Sequence, residues 1–252
     1  MDLDGGSGPF QIPNSIESCQ MLMALKFGGP GLSGTIPREI GRLQQLRSFS
    51  IFQSKIYGTI PSEVTNLPHL KSLAIQSNPN LQGTIPSNIE TMEELRTLWL
   101  YNNALEGPLP TLANRELRAI WLYGNNLTGT IPNSWAKDAT QLHTLYLGNN
   151  NLTGTIPPSL GSFASLEVLS LWGNQLEGSI PKELGDLSKL KHLELYGNRL
   201  SGEIPSELAK LTELDSLWMW GNRFEGKLPS EMVAMMAKDD SALLRIKPAK
   251  SG

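Results

Sequence analysis

Aromatic and basic side chains recur at fixed positions beside the paired leucines of the pattern LxxLxLxxN. In "LRTLWLYNN", residues 95–103, Trp99 lies between two leucines, Tyr101 follows the second of them, and Arg96 follows the leading leucine. Tryptophan, tyrosine and arginine supply large contact areas and charge-assisted hydrogen bonds, the usual chemistry of recognition surfaces. The candidate ligand-binding residues at these positions are Arg96, Trp99, Tyr101, Arg118, Trp121, Tyr123, His143, Tyr146, Trp172, Tyr196, Trp218 and Trp220.

The aromatic residues are concentrated at these positions rather than dispersed. They hold five of the six tryptophans and four of the five tyrosines of the chain. Alternate residues of a strand point to opposite faces, so the leucines enter a core and the aromatic side chains face solvent. A contiguous exposed apolar surface is typical of an interaction site. The alternative interpretation is a structural ladder of stacked rings, because aromatic residues also suit strands.

The chain lacks the residue patterns of common catalytic sites. It contains no glycine-rich phosphate loop, no G-x-S-x-G, and no CxxC or HExxH spacing. His143 and His192 fall two repeats apart, about 10 Å along a parallel sheet, which is too far for a shared metal ion. His69 follows Pro68 and is interpreted as a surface residue. We therefore expect no enzymatic activity, no metal and no cofactor.

Composition and short motifs bear on partners and location. The 252 residues carry a net charge of −3, so no overall basic character indicates nucleic-acid binding. The apolar runs are much shorter than the roughly 20 residues that span a bilayer, and MDLDGGSGPF lacks the pattern of a signal peptide. Two Asn-Leu-Thr sequons, at Asn126 and Asn151, are glycosylation candidates. They favour an extracellular or cell-surface location, with a cytoplasmic one as the alternative.

The elements that position these side chains recur with a period in the twenties. The steps between successive middle core residues are 24 or 25 residues, except for one 22-residue step that follows from "LPTLANREL". Such a period predicts a solenoid in which each unit buries its leucines against its neighbours. The middle core residues are Leu25, Phe49, Leu73, Leu98, Ile120, Leu145, Leu169, Leu193 and Leu217.

We expect about nine 24-residue repeats plus caps, without a linker between domains. The repeat array is assigned to residues 22–230, a partial N-terminal repeat or cap to 1–21, and a C-terminal cap and tail to 231–252. In the cap, "EMVAMMAKDD" predicts a helix with an apolar face and "ALLRIK" a further strand. Such a cover keeps the core leucines of an end repeat out of water.

Other consensus positions predict structural roles. The asparagine after each strand, from Asn78 to Asn222, is expected to turn inward and bond buried backbone groups. Pro30 and Ser54 take this place in the first two repeats, so the ladder should be weaker there. The glycine of LxG permits a tight turn, and the proline of IP ends the extended ladder. Segments such as "PKELGDLSKL" suit a short helix or 3₁₀ turn.

The segment 152–208, "LTGTIPPSLGSFASLEVLSLWGNQLEGSIPKELGDLSKLKHLELYGNRLSGEIPSEL", resembles the plant-type leucine-rich repeat, whose hallmark is LxGxIPxxLxxLxxL. The resemblance covers roughly residues 10–230. It implies an α/β repeat solenoid, a right-handed superhelix with a parallel sheet on its concave face, where ligands usually bind. Similar arrays form ectodomains of receptor-like kinases and receptor-like proteins and polygalacturonase inhibitors, and others occur in algae and protists.

The resemblance and the aromatic positions together favour a non-catalytic recognition module, such as a receptor-like ectodomain. Its expected partner is a peptide, a protein or a carbohydrate such as an acidic glycan, bound to the aromatic and basic concave face. One alternative is an intracellular protein-interaction scaffold that uses the same face. Another is an inhibitor of a cell-wall-degrading hydrolase.

The single cysteine departs from secreted members of this family, which commonly carry paired cysteines in their caps. When "IPNSIESCQML" is aligned with "IPREIGRLQQL", Cys19 takes the place of Leu43. This alignment predicts that Cys19 is a small buried apolar residue rather than a reactive or bridging one.

Overall fold

The computed structural model describes residues 2–3, 10–236 and 243–245. Within this part of the chain, no helix has the length and apolar character needed to cross a membrane. In chain order the strands are β1 (Asp2–Leu3), β2 (Ala24–Gly28), β3 (Ser33–Gly34), β4 (Ser48–Phe52), β5 (Lys55–Gly58), β6 (Ser72–Gln76), β7 (Asn78–Thr84), β8 (Thr97–Trp99), β9 (Asn103–Pro108), β10 (Ala119–Trp121), β11 (Asn126–Thr128), β12 (Thr144–Tyr146), β13 (Val168–Ser170), β14 (Glu177–Gly178), β15 (His192–Glu194), β16 (Arg199–Gly202), β17 (Ser216–Trp218), β18 (Arg223–Phe224) and β19 (Leu243–Arg245). The α-helices are α1 (Trp135–Asp138) and α2 (Ser230–Met236).

The strands that carry the middle core residues form, together with β1 and β19, one parallel sheet with the order β1-β2-β4-β6-β8-β10-β12-β13-β15-β17-β19. The core residues predicted to be equivalent pair with each other along this sheet, from Leu25 beside Phe49 to Leu193 beside Leu217. All nine are buried, with exposed fractions of 2% or less. The repeat register inferred from the leucine period is therefore confirmed, and the sheet carries the outward-pointing residues in rows.

Two smaller parallel sheets run beside the main one, in the orders β11-β9-β7-β5-β3 and β14-β16-β18. The glycine of LxG turns the chain out of these strands with a positive φ, 89° at Gly34 and 76° at Gly226, as predicted. The 3₁₀ helices each follow the proline of an IP pair, whose extended backbone ends the strand. They span Asn14–Ser18, Arg38–Arg42, Ser62–Asn66, Ser87–Thr91, Pro158–Ser162, Lys182–Asp186 and Ser206–Lys210.

A ladder of buried asparagines joins the units behind the main sheet. The Asn174 amide donates to the carbonyls of Leu147 and Leu171 at 3.0 and 3.1 Å, and its oxygen accepts from the Leu152 N–H at 3.0 Å. Bonds of the same kind are made by Asn125, Asn150, Asn198 and Asn222. The inward role predicted for these side chains is confirmed, because their amides satisfy backbone groups that the turns would otherwise bury without partners.

The first two repeats differ in how they continue this ladder. Ser54 is buried, and both its N–H and its hydroxyl donate to the side-chain oxygen of Asn78, at 3.1 and 2.6 Å. Pro30 is exposed. A shorter polar side chain at position 54 therefore still joins the ladder, whereas the proline side chain has no group that could donate or accept.

The shortened repeat is completed by two buried side chains. No 3₁₀ helix forms over 111–116; instead Asn114 donates to the carbonyls of Met92 and Leu95, both at 2.7 Å. In the next repeat Trp135 occupies the position that most other units give to leucine, isoleucine or valine. Its ring is fully buried, and its Nε1–H donates to the Pro110 carbonyl at 2.9 Å. Trp135 thus lies in the core and is absent from the aromatic face.

Cys19 is exposed, so the prediction that it is buried is wrong. Its counterpart Leu43 is fully buried at the end of a 3₁₀ helix that has neighbouring 3₁₀ helices on both sides. The helix Asn14–Ser18 packs against the one that follows it, Arg38–Arg42. In the described part of the chain no 3₁₀ helix precedes Asn14–Ser18, and Cys19 at its end lies outside the core.

The C-terminal segment forms both kinds of predicted element. Helix α2 covers the first six residues of "EMVAMMAKDD" together with Ser230, and Met232 on it is fully buried. Strand β19 pairs in parallel with β17. The rest of the predicted helix, residues 237–240, lies outside the described residues, as do 246–252 of the assigned tail. The domain limits at residues 22 and 230 stay predictions.

Candidate ligand-binding face

The nine aromatic candidates all lie on strands of the main sheet or directly after them, and all are half-buried. Arg96 and Arg118 are exposed and His143 is half-buried, in the residues just before their strands. Equivalent residues of neighbouring units pair in register, as Trp99 does with Trp121 and Trp121 with Tyr146. The candidates therefore form rows that run across the sheet.

Five rings from three adjacent units form a first aromatic cluster, made of Trp99, Tyr101, Trp121, Tyr123 and Tyr146. The rings of Trp99 and Trp121 stack at 4.7 Å, and those of Tyr101 and Tyr123 stack at 4.7 Å with 9° between planes. The plane of Tyr146 instead lies steeply across those of its neighbours, at 76° to Trp121 and 61° to Tyr123. The parallel stacking therefore stops at Tyr146, whose ring forms a corner with that of Trp121.

A second aromatic cluster, made of Trp172, Tyr196, Trp218 and Trp220, covers the later strands. Tyr196 lies between two parallel rings, with centroids 5.3 Å from Trp172 and 4.2 Å from Trp220. Trp218 is tilted by 46° against Trp220 at 5.7 Å. Stacked aromatic pairs contribute about 0.5–1.5 kcal/mol beyond their burial, so each cluster also stabilises the sheet.

The clusters meet at Gly148, where the Trp172 ring lies directly on the backbone. A Cβ at this position would collide with the indole of Trp172. Trp121, Tyr123, Tyr146 and Trp172 line a cleft of about 280 Å³ at this junction, called the four-ring cleft below. Sequence reasoning named the four rings but did not find the cleft. The signal was a glycine 24 residues before an aromatic residue, a pattern that Gly28 and Phe52 repeat.

The expectation that these rings face solvent is correct only in part. Stacking covers much of each ring, and the Nε1 atoms of Trp99 and Trp218 are buried without a hydrogen-bond partner among the described residues. Trp121 differs, because its Nε1–H donates to the Thr144 hydroxyl at 2.8 Å. The face therefore combines the structural ladder with exposed ring surface, and the two interpretations of the aromatic rows are not exclusive.

Basic residues directly before the strands of the main sheet form ion pairs that neutralise part of their positive charge. Arg96 lies 3.5 Å from Glu116 and Lys71 lies 3.6 Å from Glu94. Lys191 donates to Glu167 at 2.9 Å, and this bond holds the pKa of the Glu167 carboxyl below its usual value. Exposed ion pairs of this kind add little stability. They do reduce the positive charge offered to an acidic ligand.

A carboxylate adjoins the four-ring cleft. Ser170 is fully buried in the row between Tyr146 and Glu194, and its hydroxyl donates to the Glu194 carboxylate at 2.7 Å. Burial and then the nearby Glu194 charge raise the pKa of Tyr146 and also that of Tyr196. Burial, followed by the neighbouring Tyr101 and Tyr146, raises the pKa of Tyr123. These phenols therefore stay neutral at physiological pH.

The histidines have separate partners. His143 contacts the Gln141 carbonyl at 2.6 Å, His192 the Ser216 hydroxyl at 2.8 Å, and His69 the Glu94 carboxylate at 2.9 Å. The half-exposed side chain of His69 confirms that it is a surface residue. Among the residues that the structure describes, no three histidine, cysteine or acidic side chains come together as metal ligands.

The two sequon asparagines lie away from the aromatic rows. Asn126 begins β11 in the five-stranded sheet, and Asn151 follows the equivalent turn of the next unit. Both side chains are exposed, as are the threonines Thr128 and Thr153 that complete the sequons. Both acceptor sites are therefore accessible.

Comparison with known families identifies the repeats. The family described as "Leucine Rich repeats (2 copies)" matches residues 140–187, and "Leucine Rich Repeat" matches residues 116–137 and 189–211. Comparison with curated proteins gives no match.

Three solved structures illustrate what the chain is similar to. The plant peptide hormone receptor RGFR1 in complex with RGF2 is 36% identical, with a TM-score of 0.85, over 88% of this chain and 36% of that one. The ectodomain of the Arabidopsis receptor kinase HAESA in complex with an IDA peptide hormone is 28% identical, with a TM-score of 0.74, over 94% and 44%. A plant ice-binding protein is 29% identical, with a TM-score of 0.79, over 97% and 78%. The chain thus spans less than half of either receptor chain.

Proposed function

Since the chain is a leucine-rich-repeat protein of the plant type, we propose that it is a non-catalytic recognition module for a peptide or a peptide segment of a protein. The ligand lies across the two aromatic clusters on the concave face of the main sheet. Arg96, Arg118 and His143 flank the first cluster and contact the ligand from one side.

The observation that carries this proposal is the four-ring cleft between the clusters. Partly exposed tryptophan and tyrosine rings, already ordered by stacking, lose little conformational freedom when a ligand binds. The two receptors compared above carry peptide hormones in their complexes, which supports a peptide as the ligand class.

A peptide fits this face better than an acidic glycan. The ion pairs of Arg96 and Lys71 reduce the positive charge that an acidic sugar would need. The 76° angle between Trp121 and Tyr146 makes a corner for a side chain, whereas a sugar ring would stack on a flat platform. The similarity to an ice-binding protein shows that the same fold also hosts a different function.

A display selection tests this function. Random peptides selected on the wild-type protein are titrated against Trp121→Ala and Phe52→Ala. We expect Trp121→Ala to weaken binding about tenfold or more, because it removes a wall of the cleft. Phe52→Ala is the matched control, an aromatic position of the same sheet face five strands from Trp172, and should bind as the wild type does. Selected peptides that bind all three proteins equally would contradict the proposed function.

The proposal includes an extracellular or cell-surface location, supported by the receptor ectodomain of known structure and by the two exposed sequons. Protein made through a plant secretory pathway should carry N-glycans at Asn126 and Asn151. Treatment with a glycosidase should then lower its mass, and Asn126→Gln with Asn151→Gln should abolish that shift. Secreted protein without glycan at either site would contradict this expectation.

A further inference from the structure

The four-ring cleft has the geometry of a site for a positive charge. The faces of tryptophan and tyrosine rings attract cations, and rings set at steep angles surround a cation better than a flat stack does. Tyr146 stands at 76° to Trp121 and 61° to Tyr123, and Trp172 supplies the wall on the other side. The hydrogen bond of the Trp121 Nε1–H to Thr144 holds the indole plane in place.

The same chain contains an occupied version of this arrangement. The Phe52 ring lies on Gly28 as the Trp172 ring lies on Gly148, since a Cβ at either glycine would collide with the ring. There the Lys26 ammonium lies 5.1 Å from the centre of the Phe52 ring.

Lys26 stands two residues before its glycine, and Tyr146 takes the equivalent position beside Gly148. In the first arrangement the cation comes from the chain itself. In the second, Tyr146 takes the place of the lysine, so the chain supplies no ammonium to Trp172 from this position.

Charge at the cleft favours a cation over an anion. The Glu194 carboxylate extends toward Ser170, the strand neighbour of Tyr146, and accepts the buried Ser170 hydroxyl at 2.7 Å. That hydrogen bond holds the carboxylate in place. Lys191, three residues before Glu194, is paired with Glu167 through a hydrogen bond of 2.9 Å. An aromatic corner with one adjacent carboxylate suits a lysine or arginine side chain.

We propose that the four-ring cleft binds the side chain of a lysine or arginine residue in an extended peptide, with Glu194 as the counter-charge. This inference rests on the proposed function and names the feature of the ligand that the cleft selects. The alkyl part of the basic side chain packs on Tyr123 and Trp121, and its charged end lies near Tyr146 and Glu194.

The test uses synthetic peptides of the form acetyl-Gly-Ser-Gly-Xaa-Gly-Ser-Gly-amide, with lysine, arginine, norleucine or glutamate at Xaa. They are titrated into the isotope-labelled protein while the indole N–H signals of Trp121 and Trp172 are followed by NMR. The lysine and arginine peptides should bind about tenfold more tightly than the norleucine peptide, which offers a four-carbon apolar side chain without a charged end. The glutamate peptide should bind most weakly.

Three variants show which residues account for the differences in peptide binding. Glu194→Gln should weaken the lysine peptide severalfold and leave the norleucine peptide unchanged. Gly148→Ala should move the Trp172 ring and weaken all four peptides, while Phe52→Ala should bind as the wild type does. If norleucine binds as well as lysine, or glutamate binds best, the assignment of a cation is wrong.

The display selection separates this failure from failure of the proposed function. Selected peptides that depend on Trp121 but are not enriched in lysine or arginine would overturn the cation site and leave peptide recognition standing. Selected peptides that bind Trp121→Ala as tightly as the wild type would overturn peptide recognition itself.

Discussion

Replacement of Trp135 by alanine is expected to lower the free energy of unfolding by about 3–5 kcal/mol, the range for a fully buried large side chain. The ring fills the space beside the shortened repeat, and its loss also removes the hydrogen bond to the Pro110 carbonyl. Neighbouring units of a solenoid touch only each other, so the cavity cannot be closed from elsewhere in the chain.

Urea unfolding followed by circular dichroism measures this loss. Trp135→Phe is the matched control, because it keeps most of the ring volume, so its cost should come mainly from the lost hydrogen bond, about 1–2 kcal/mol. An alanine variant that unfolds at the same urea concentration as the wild type would show that Trp135 does not fill the core.

Asn174→Ala should lower the free energy of unfolding by about 3–5 kcal/mol, because it removes the hydrogen-bond partner of several buried backbone groups at about 1–3 kcal/mol each. The groups affected are the carbonyls of Leu147 and Leu171 and the N–H of Leu152. They belong to two consecutive units, so the substitution weakens the interface between repeats as well as one turn.

Glu177→Ala is the control for this measurement. Glu177 is exposed in β14, three residues after Asn174, and its replacement should change the stability by no more than about 0.5 kcal/mol. Equal losses at positions 174 and 177 would contradict the assignment of the asparagine ladder. A loss confined to Asn174 would support it.

Residues of the aromatic clusters contribute to the stability of the sheet and, in the proposed function, also to ligand binding. Trp121 stacks on Trp99, donates to Thr144 and lines the four-ring cleft, so its replacement has a structural cost as well as a binding cost. A melting temperature measured beside each binding titration separates the two contributions, because a structural loss alone does not change affinity in the folded protein.

The sequence by itself determined the repeat, the strand register and the inward or outward direction of most side chains. The leucine period predicted the pairing of Leu25 with Phe49 and its successors, and the asparagine and LxG glycine positions predicted the ladder and the turns. These features repeat with a fixed spacing and depend on local geometry, in which alternate residues of a strand face opposite ways. The aromatic rows followed from the same alternation.

The tertiary structure decided how the side chains of adjacent repeats pack against each other. Cys19 aligns with Leu43 yet is exposed, because Leu43 has 3₁₀ helices on both sides whereas none precedes the helix of Cys19 in the described part of the chain. The Trp172 ring lies on Gly148, and Ser170 and Glu194 bring a carboxylate beside Tyr146, across strands 24 residues apart. The direction in which a side chain leans along the solenoid depends on the volume and charge of residues in the neighbouring repeat. A period in the sequence records which residues are equivalent, but only packing between repeats decides which rings stack and where a cleft remains.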